Sequence, residues 1–222
     1  MEKLKEIKEI ENKNKYKKKE TDIKYENLVF PDFACSKYSM TVKVDASKLY
    51  EHSKKNNIRF FNLTLACLIT ALNEVPELRR RIINKQVVEY ENISGLTPIL
   101  QEDKTIKEIE MPPPYYYNSF KDWNDYLEYK KQNIEKEEVH ITHQGRAYAN
   151  FSCIPWIHFE SMTNIVFRPY STYQNISLGK MFDGKIPISL TASHNILSGY
   201  HFKLFYDSIE KYFKNSELIT KL

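Results

Sequence analysis

The apolar positions of this chain change period several times, and each change marks an element. Residues 38–45 (Tyr-Ser-Met-Thr-Val-Lys-Val-Asp) alternate with a period of two, as a strand with one buried face does. Asp45 then stands as a helix N-cap ahead of a helix over 46–55. Residues 60–75 carry Leu63, Leu65, Ala66, Leu68, Ile69, Ala71 and Leu72, apolar around most of a helical circumference. Such a segment is a core helix, and Pro76 ends it. The stretch 78–84 is short and basic, while 86–90 and 96–101 read as strands. Over 108–118 the run Met111-Pro112-Pro113-Pro114-Tyr115-Tyr116-Tyr117 predicts a loop, because consecutive prolines block both helix and ladder. A charged amphipathic helix over 119–138 follows, with Phe120, Trp123, Tyr126 and Tyr129 on it.

From Ala149 the texture turns to β, over 150–154, 157–159, 172–181 and 186–194. Phe202, Leu204, Phe205, Ile209, Tyr212 and Phe213 give a closing helix its apolar face. Residues 1–24, mostly Lys, Glu, Ile and Asn, read as a charged arm, either a solvated helix or a frayed end. A single domain over 25–222 follows. Helices interleaved with several late strands predict the α/β class: a two-layer sandwich with a large mixed β-sheet flanked by helices.

Composition narrows the function. Hydrophobic residues make up 41% of 222, enough for a sizeable core. The net charge of +4 is mild and comes largely from the first twenty residues. It accompanies no zinc finger, helix-turn-helix or aromatic RNA-binding motif, so nucleic acid is not an expected partner. A mildly positive balance suits the capture of an anionic small ligand. Cys35, Cys67 and Cys153 have neither metal nor redox spacing, and Met1-Glu2-Lys3-Leu4-Lys5-Glu6 has no apolar leader core. With no apolar run of membrane-spanning length, these features predict a reduced, cytoplasmic protein that does not enter a membrane. GxGxxG and GxxxxGK[ST] are absent. His140 and His143 have no third ligand nearby, so no metal is expected.

The segment Ile188-Ser189-Leu190-Thr191-Ala192-Ser193-His194-Asn195-Ile196-Leu197-Ser198-Gly199-Tyr200-His201 carries the sharpest chemical signal. It puts His194 at the mouth of a strand-to-helix junction, aimed by rigid structure and open to a ligand. Imidazole is the side chain best suited to take a proton near neutral pH. Local pattern leaves two roles open for His194, a hydrogen-bonded structural histidine or a general base.

Several islands together, in order and with similar separations, resemble the type A chloramphenicol acetyltransferase family. They are Tyr38 to Asp45, Ala71-Leu72-Asn73-Glu74-Val75-Pro76-Glu77-Leu78-Arg79, Ser152-Cys153-Ile154-Pro155-Trp156, Ile176-Ser177-Leu178-Gly179-Lys180-Met181 and Ser193 to His201. The resemblance runs from about Tyr25 to about Phe213 and is poor over 103–147. It implies a chloramphenicol acetyltransferase-like fold, a homotrimer with active sites between subunits, and a tunnel for coenzyme A. The implied reaction is acetyl transfer from acetyl-CoA to a hydroxyl of chloramphenicol or a related small alcohol, the chemistry of antibiotic resistance. His194 matches the family's general base and Ser152 its oxyanion donor. Ser177 and Lys180 are expected on the coenzyme side: Ser177 matches a family threonine that helps position the intermediate through water, and Lys180 a residue near the coenzyme's nucleotide end, although Lys180 also reads as a solvated charge. Phe30, Ala34, Ser36 and Tyr38 match the acceptor pocket; Asn150, two residues before Ser152 on one strand, shares its side. Trp156 is expected to pack beneath the site.

The resemblance departs at defined places. The family motif His-His-x-x-x-Asp-Gly reads Ser193-His194-Asn195-Ile196-Leu197-Ser198-Gly199 here. The family aspartate pairs with an arginine whose place falls near Ile23. Both partners are missing together, a change a fold tolerates far better than the loss of one. Asn164 and Asn175 fall near positions that are apolar in chloramphenicol-modifying members. These departures keep an alternative open: a non-catalytic or weakly active trimeric relative that binds or assembles. A dehydrogenase-complex acyltransferase core shares the fold, but no lipoyl domain or Ala/Pro linker is seen ahead of the core.

Overall fold

A six-stranded mixed sheet organises the described residues, which in this computed structural model are 17–28, 35–136, 147–165 and 172–221. Its strands are β2 (Lys37–Asp45), β5 (Ser94–Leu100), β6 (Ile106–Met111), β7 (Tyr148–Cys153), β8 (Asn175–Leu178) and β9 (Lys185–Ser193), in the order β2-β9-β8-β7-β5-β6. The β5–β7 and β7–β8 pairs are parallel and the others antiparallel. A smaller antiparallel sheet has the order β1-β4-β3, from β1 (Lys18–Lys24), β3 (Arg80–Ile83) and β4 (Gln86–Tyr90).

Alternation decides which face of the large sheet meets the helices. Ile186, Ile188, Leu190 and Ala192 of β9 share a face with Val44 of β2 and Ile176 and Leu178 of β8, all buried. The core continues into α1 (Ser47–Lys55), α2 (Phe60–Glu74) and α4 (Gly199–Lys214). Every residue of α2 from 62 to 73 is buried, as its nearly continuous apolar circumference requires. Val75 is extended because a residue before proline is pushed out of the helical region, so α2 ends there. Glu74 fastens α2 to α4, accepting bonds from Ser208, Lys211 and Tyr212. Helix α3 (Phe120–Gln132) starts at Ser119, whose hydroxyl accepts the Asp122 N–H at 3.1 Å. A short α5 (Glu217–Thr220) closes the described chain.

Three elements differ from the pattern-based expectation. Lys18–Lys24 is a strand, where a solvated helix or frayed end is expected for the arm. Only Thr21 and Ile23 turn inward, so no apolar period announces it. Glu108 to Met111 belongs to β6, because pairing with β5 satisfies its backbone up to the prolines. Residues 157–159 form no strand; Ile157 N–H closes a turn onto Ile154 O after Pro155. At the β9 entrance, Asp183 (φ 48°) and Gly184 (φ 71°) make the two-residue turn that a tight hairpin demands.

Candidate active site

The other face of the large sheet is polar, and strand register arranges it in rows. Thr41, Ser189, Ser177 and Ser152 form one row across β2, β9, β8 and β7. Ser39, Thr191, Asn175 and Asn150 form the next. Lys37 and Ser193 open a third at the end where β9 runs out. A buried hydrogen-bond chain fixes this face. Ser39 Oγ lies 2.6 Å from Thr191 Oγ1, Asn164 Nδ2 donates to Thr191 Oγ1 at 2.8 Å, and Ser177 Oγ donates to Asn164 Oδ1. Asn150 Nδ2 donates to Asn175 Oδ1 at 3.0 Å.

His194 sits in the turn directly after β9. Its N–H donates to Ser36 O at 2.8 Å, and Ser36 Oγ lies 2.7 Å from Ser193 Oγ, so the two chain ends are clamped together. The Tyr38 ring stands 4.8 Å from the imidazole, backed by Phe202 at 4.7 Å. Tyr38 O–H donates to Leu197 O at 3.1 Å, tying the strand to the histidine turn. Burial raises the Tyr38 hydroxyl to about 12, so it remains a donor through the neutral range. Ser152 is two strands away and five residues down the β9 register, which puts it roughly 15–20 Å from His194 within one chain.

Residues 9–210 match the sequence profile of the chloramphenicol acetyltransferase family. The chain belongs to that family. It is 24% identical over 196 residues to the chloramphenicol acetyltransferase of Clostridium perfringens, with 81% of this chain and 85% of that one aligned. A solved chloramphenicol acetyltransferase superposes with a TM-score of 0.75 at 24% identity, covering 88% of this chain and all of that one (100%). The cubic core of the pyruvate dehydrogenase multienzyme complex superposes with a TM-score of 0.61 at 13% identity, covering 88% of this chain and 85% of that one, a likeness of fold. Membership makes this chain an acetyltransferase of the chloramphenicol acetyltransferase type.

Against the family motif, the departures acquire physical roles. Ser198, at the family's aspartate position, is the N-cap of α4 and shares a capping box with His201. Asn164 is buried with both amide ends engaged, so it stiffens the polar face instead of walling a pocket. Ser177 is equally buried and spends its hydroxyl proton on Asn164. Trp156 is 66% exposed, a correction to the expectation that it packs beneath the site. It adjoins Ile157, whose carbonyl accepts the Lys180 N–H at 2.7 Å, and His158, whose ring lies 5.6 Å from Phe182, so exposed residues of 156–158 and 180–182 meet at the end of the sheet to which Ser152 and Ser177 lead. Phe30, Ala34, His140 and His143 lie outside the described residues. No group of three His, Cys, Asp or Glu side chains suited to a metal occurs among the described residues, and no helix there is long and apolar enough to cross a membrane.

Sequence reasoning missed Lys37 and Arg81. The Arg79-Arg80-Arg81 run reads only as part of a short basic stretch, but Arg81 is 1% exposed. Alternation on a strand carries the signal: Arg80 faces Glu77 and Glu89, so Arg81 must face the other way.

Proposed function

We propose that this protein transfers an acetyl group from acetyl-CoA to a hydroxyl of chloramphenicol or a related small alcohol, at sites shared between protomers of a homotrimer. Family membership supplies the reaction class. The observation that carries the shared site is the separation of Ser152 from His194. Two groups roughly 15–20 Å apart in one chain cannot serve one reacting centre, so a reaction using both takes one from each protomer.

His194 takes the proton of the acceptor hydroxyl as its oxygen bonds to the acetyl carbon. Ser152 O–H donates to the acetyl oxygen as negative charge develops there. When the carbon–sulfur bond breaks, the proton held by His194 passes to the departing sulfur, which restores the base. Tyr38 holds the imidazole face, and the Ser36 carbonyl fixes the backbone of His194. The exposed Trp156, Phe182 and Lys180 patch suits a cosubstrate with an aromatic base and phosphates, which supports assigning Lys180 to coenzyme A. Ser177 acts one step back, aligning the Ser152 row through Asn164. A cytoplasmic location is supported by three free cysteines; burial raises Cys67 above its ordinary value and Cys153 to about 11, which keeps both thiols unreactive.

The test is complementation between two inactive variants. Ser152→Ala and His194→Ala are each expected to lose most turnover, by about 10²-fold or more. Mixed trimers formed by co-expression should regain about one quarter of wild-type activity, because one interface in four pairs an intact serine with an intact histidine. Mixed trimers as inactive as their parents would sink the shared-site reading.

A further inference from the structure

Lys37 and Arg81 carry positive charge into the same end of the polar face. The Lys37 ammonium donates to Tyr173 O, reaching across the end of β9 from its position opposite Ser193. The Arg81 guanidinium lies 5.5 Å from the Tyr173 ring centroid. It donates to Leu78 O at 3.0 Å, Arg80 O at 2.7 Å and Tyr148 O at 2.6 Å, which pins its plane. Segment 172–174 links the two, since Ile82 N–H donates to Thr172 Oγ1 at 3.2 Å and Asn150 N–H to Gln174 O at 2.9 Å.

No described carboxylate neutralises this pair. Glu89 is taken by Lys19, Arg79 and Arg80, and Glu77 by Arg80 and His201. Two like charges in a half-buried site with no counter-ion among the described residues are costly, and a structural role for one guanidinium does not require the second cation. Burial, and then Arg81, lower Lys37 to about 8, with Cys35 acting in the opposite sense. Arg81 Nε and Gln174 Oε1 are buried with no hydrogen-bond partner among the described residues. Lys37 uses one of three ammonium protons, so two remain for a ligand.

We propose that Lys37, backed by Arg81, forms an anion subsite at the end of the polar face, so that the preferred acceptor is an alcohol carrying a carboxylate or phosphate group. This rests on the transferase reading for the alcohol, but not for the anion. Lys37 stands opposite Ser193, the residue just before His194 of the same chain, so the acidic group sits close to the acceptor hydroxyl that His194 deprotonates.

The test is calorimetric titration of the full chain, without acetyl-CoA, using three short alcohols: 3-(hydroxymethyl)benzoate, its methyl ester, and 3-(hydroxymethyl)phenyl phosphate. At least one acid should bind about tenfold or more tightly than the ester, as a charge-assisted bond implies. Whichever acid binds more tightly identifies the anion. Lys37→Met should erase the preference while Lys37→Arg keeps it. Equal binding of all three alcohols, no binding of any, or a preference that survives in Lys37→Met overturns the proposal. Charge preference with no acetyl transfer to any alcohol would sink the transferase reading alone. Transfer without charge preference would sink the anion subsite alone.

Discussion

His201 Nδ1 accepts the backbone N–H of Ser198 at 2.9 Å, with the Ser198 hydroxyl 3.1 Å from the same nitrogen. An Nδ1 that accepts puts the proton of neutral His201 on Nε2, which faces Glu77 Oε2 at 3.9 Å. The turn carrying His194 is thus held by a serine, an imidazole and a carboxylate, where the family uses an aspartate. Ser198→Ala should cost about 1 kcal/mol, the usual worth of an N-cap hydroxyl. Urea denaturation of wild type and variant checks it.

Tyr38 links the strand to the base in two separable ways. Tyr38→Phe removes the bond to Leu197 O and keeps the ring beside His194, so it should cost about 1 kcal/mol of stability and little turnover. Tyr38→Ala removes the wall as well. A base displaced by about 1 Å loses about 10²-fold in rate, so kcat should fall by that order with KM nearly unchanged. Steady-state kinetics on both variants separates the two effects.

Asn164 is the only described link from the loop over the polar face to both Ser177 and Thr191. Asn164→Ala takes the acceptor from the buried Ser177 hydroxyl and leaves Thr191 with Ser39 alone. The expected loss is about 2–4 kcal/mol, read as a lower denaturation midpoint with an unchanged slope.

Lys37 predicts a stability that climbs with alkaline pH. Its folded value of about 8 lies below the ordinary 10.5, so between these limits the unfolded chain binds more protons. Stability therefore rises as pH passes from about 8 to 10.5, by an amount of the order of 1–3 kcal/mol. Below about 8 lysine is charged in both states and the penalty is fully present. Arg81, Cys35 and Tyr173 are the groups facing it. Lys37→Met should flatten that rise, measured by denaturation at a series of pH values.

Much of the architecture was legible because period and burial agree. The alternation from Tyr38 onward, the all-apolar 60–75 helix and the strand ending at His194 each carry their own face assignment. Strand β1 escaped notice because its inward face holds only Thr21 and Ile23, and its partner β4 lies more than sixty residues on. Trp156 runs against its pattern because a large ring usually marks a core, and nothing local says it is left outside.

The sequence by itself determined the element order, the two faces of the large sheet and the junction that presents His194, since each follows from neighbours a few residues apart. Tertiary structure alone decided that Asn164 closes over Ser177 and Thr191, and that Lys37 meets Arg81 beside Tyr173. Those groups come from separate strands and loops, and no periodicity encodes the pairing of a buried cation with a distant carbonyl. Chain packing excludes water from that corner, and exclusion of water turns ordinary surface residue types into a charged, selective site.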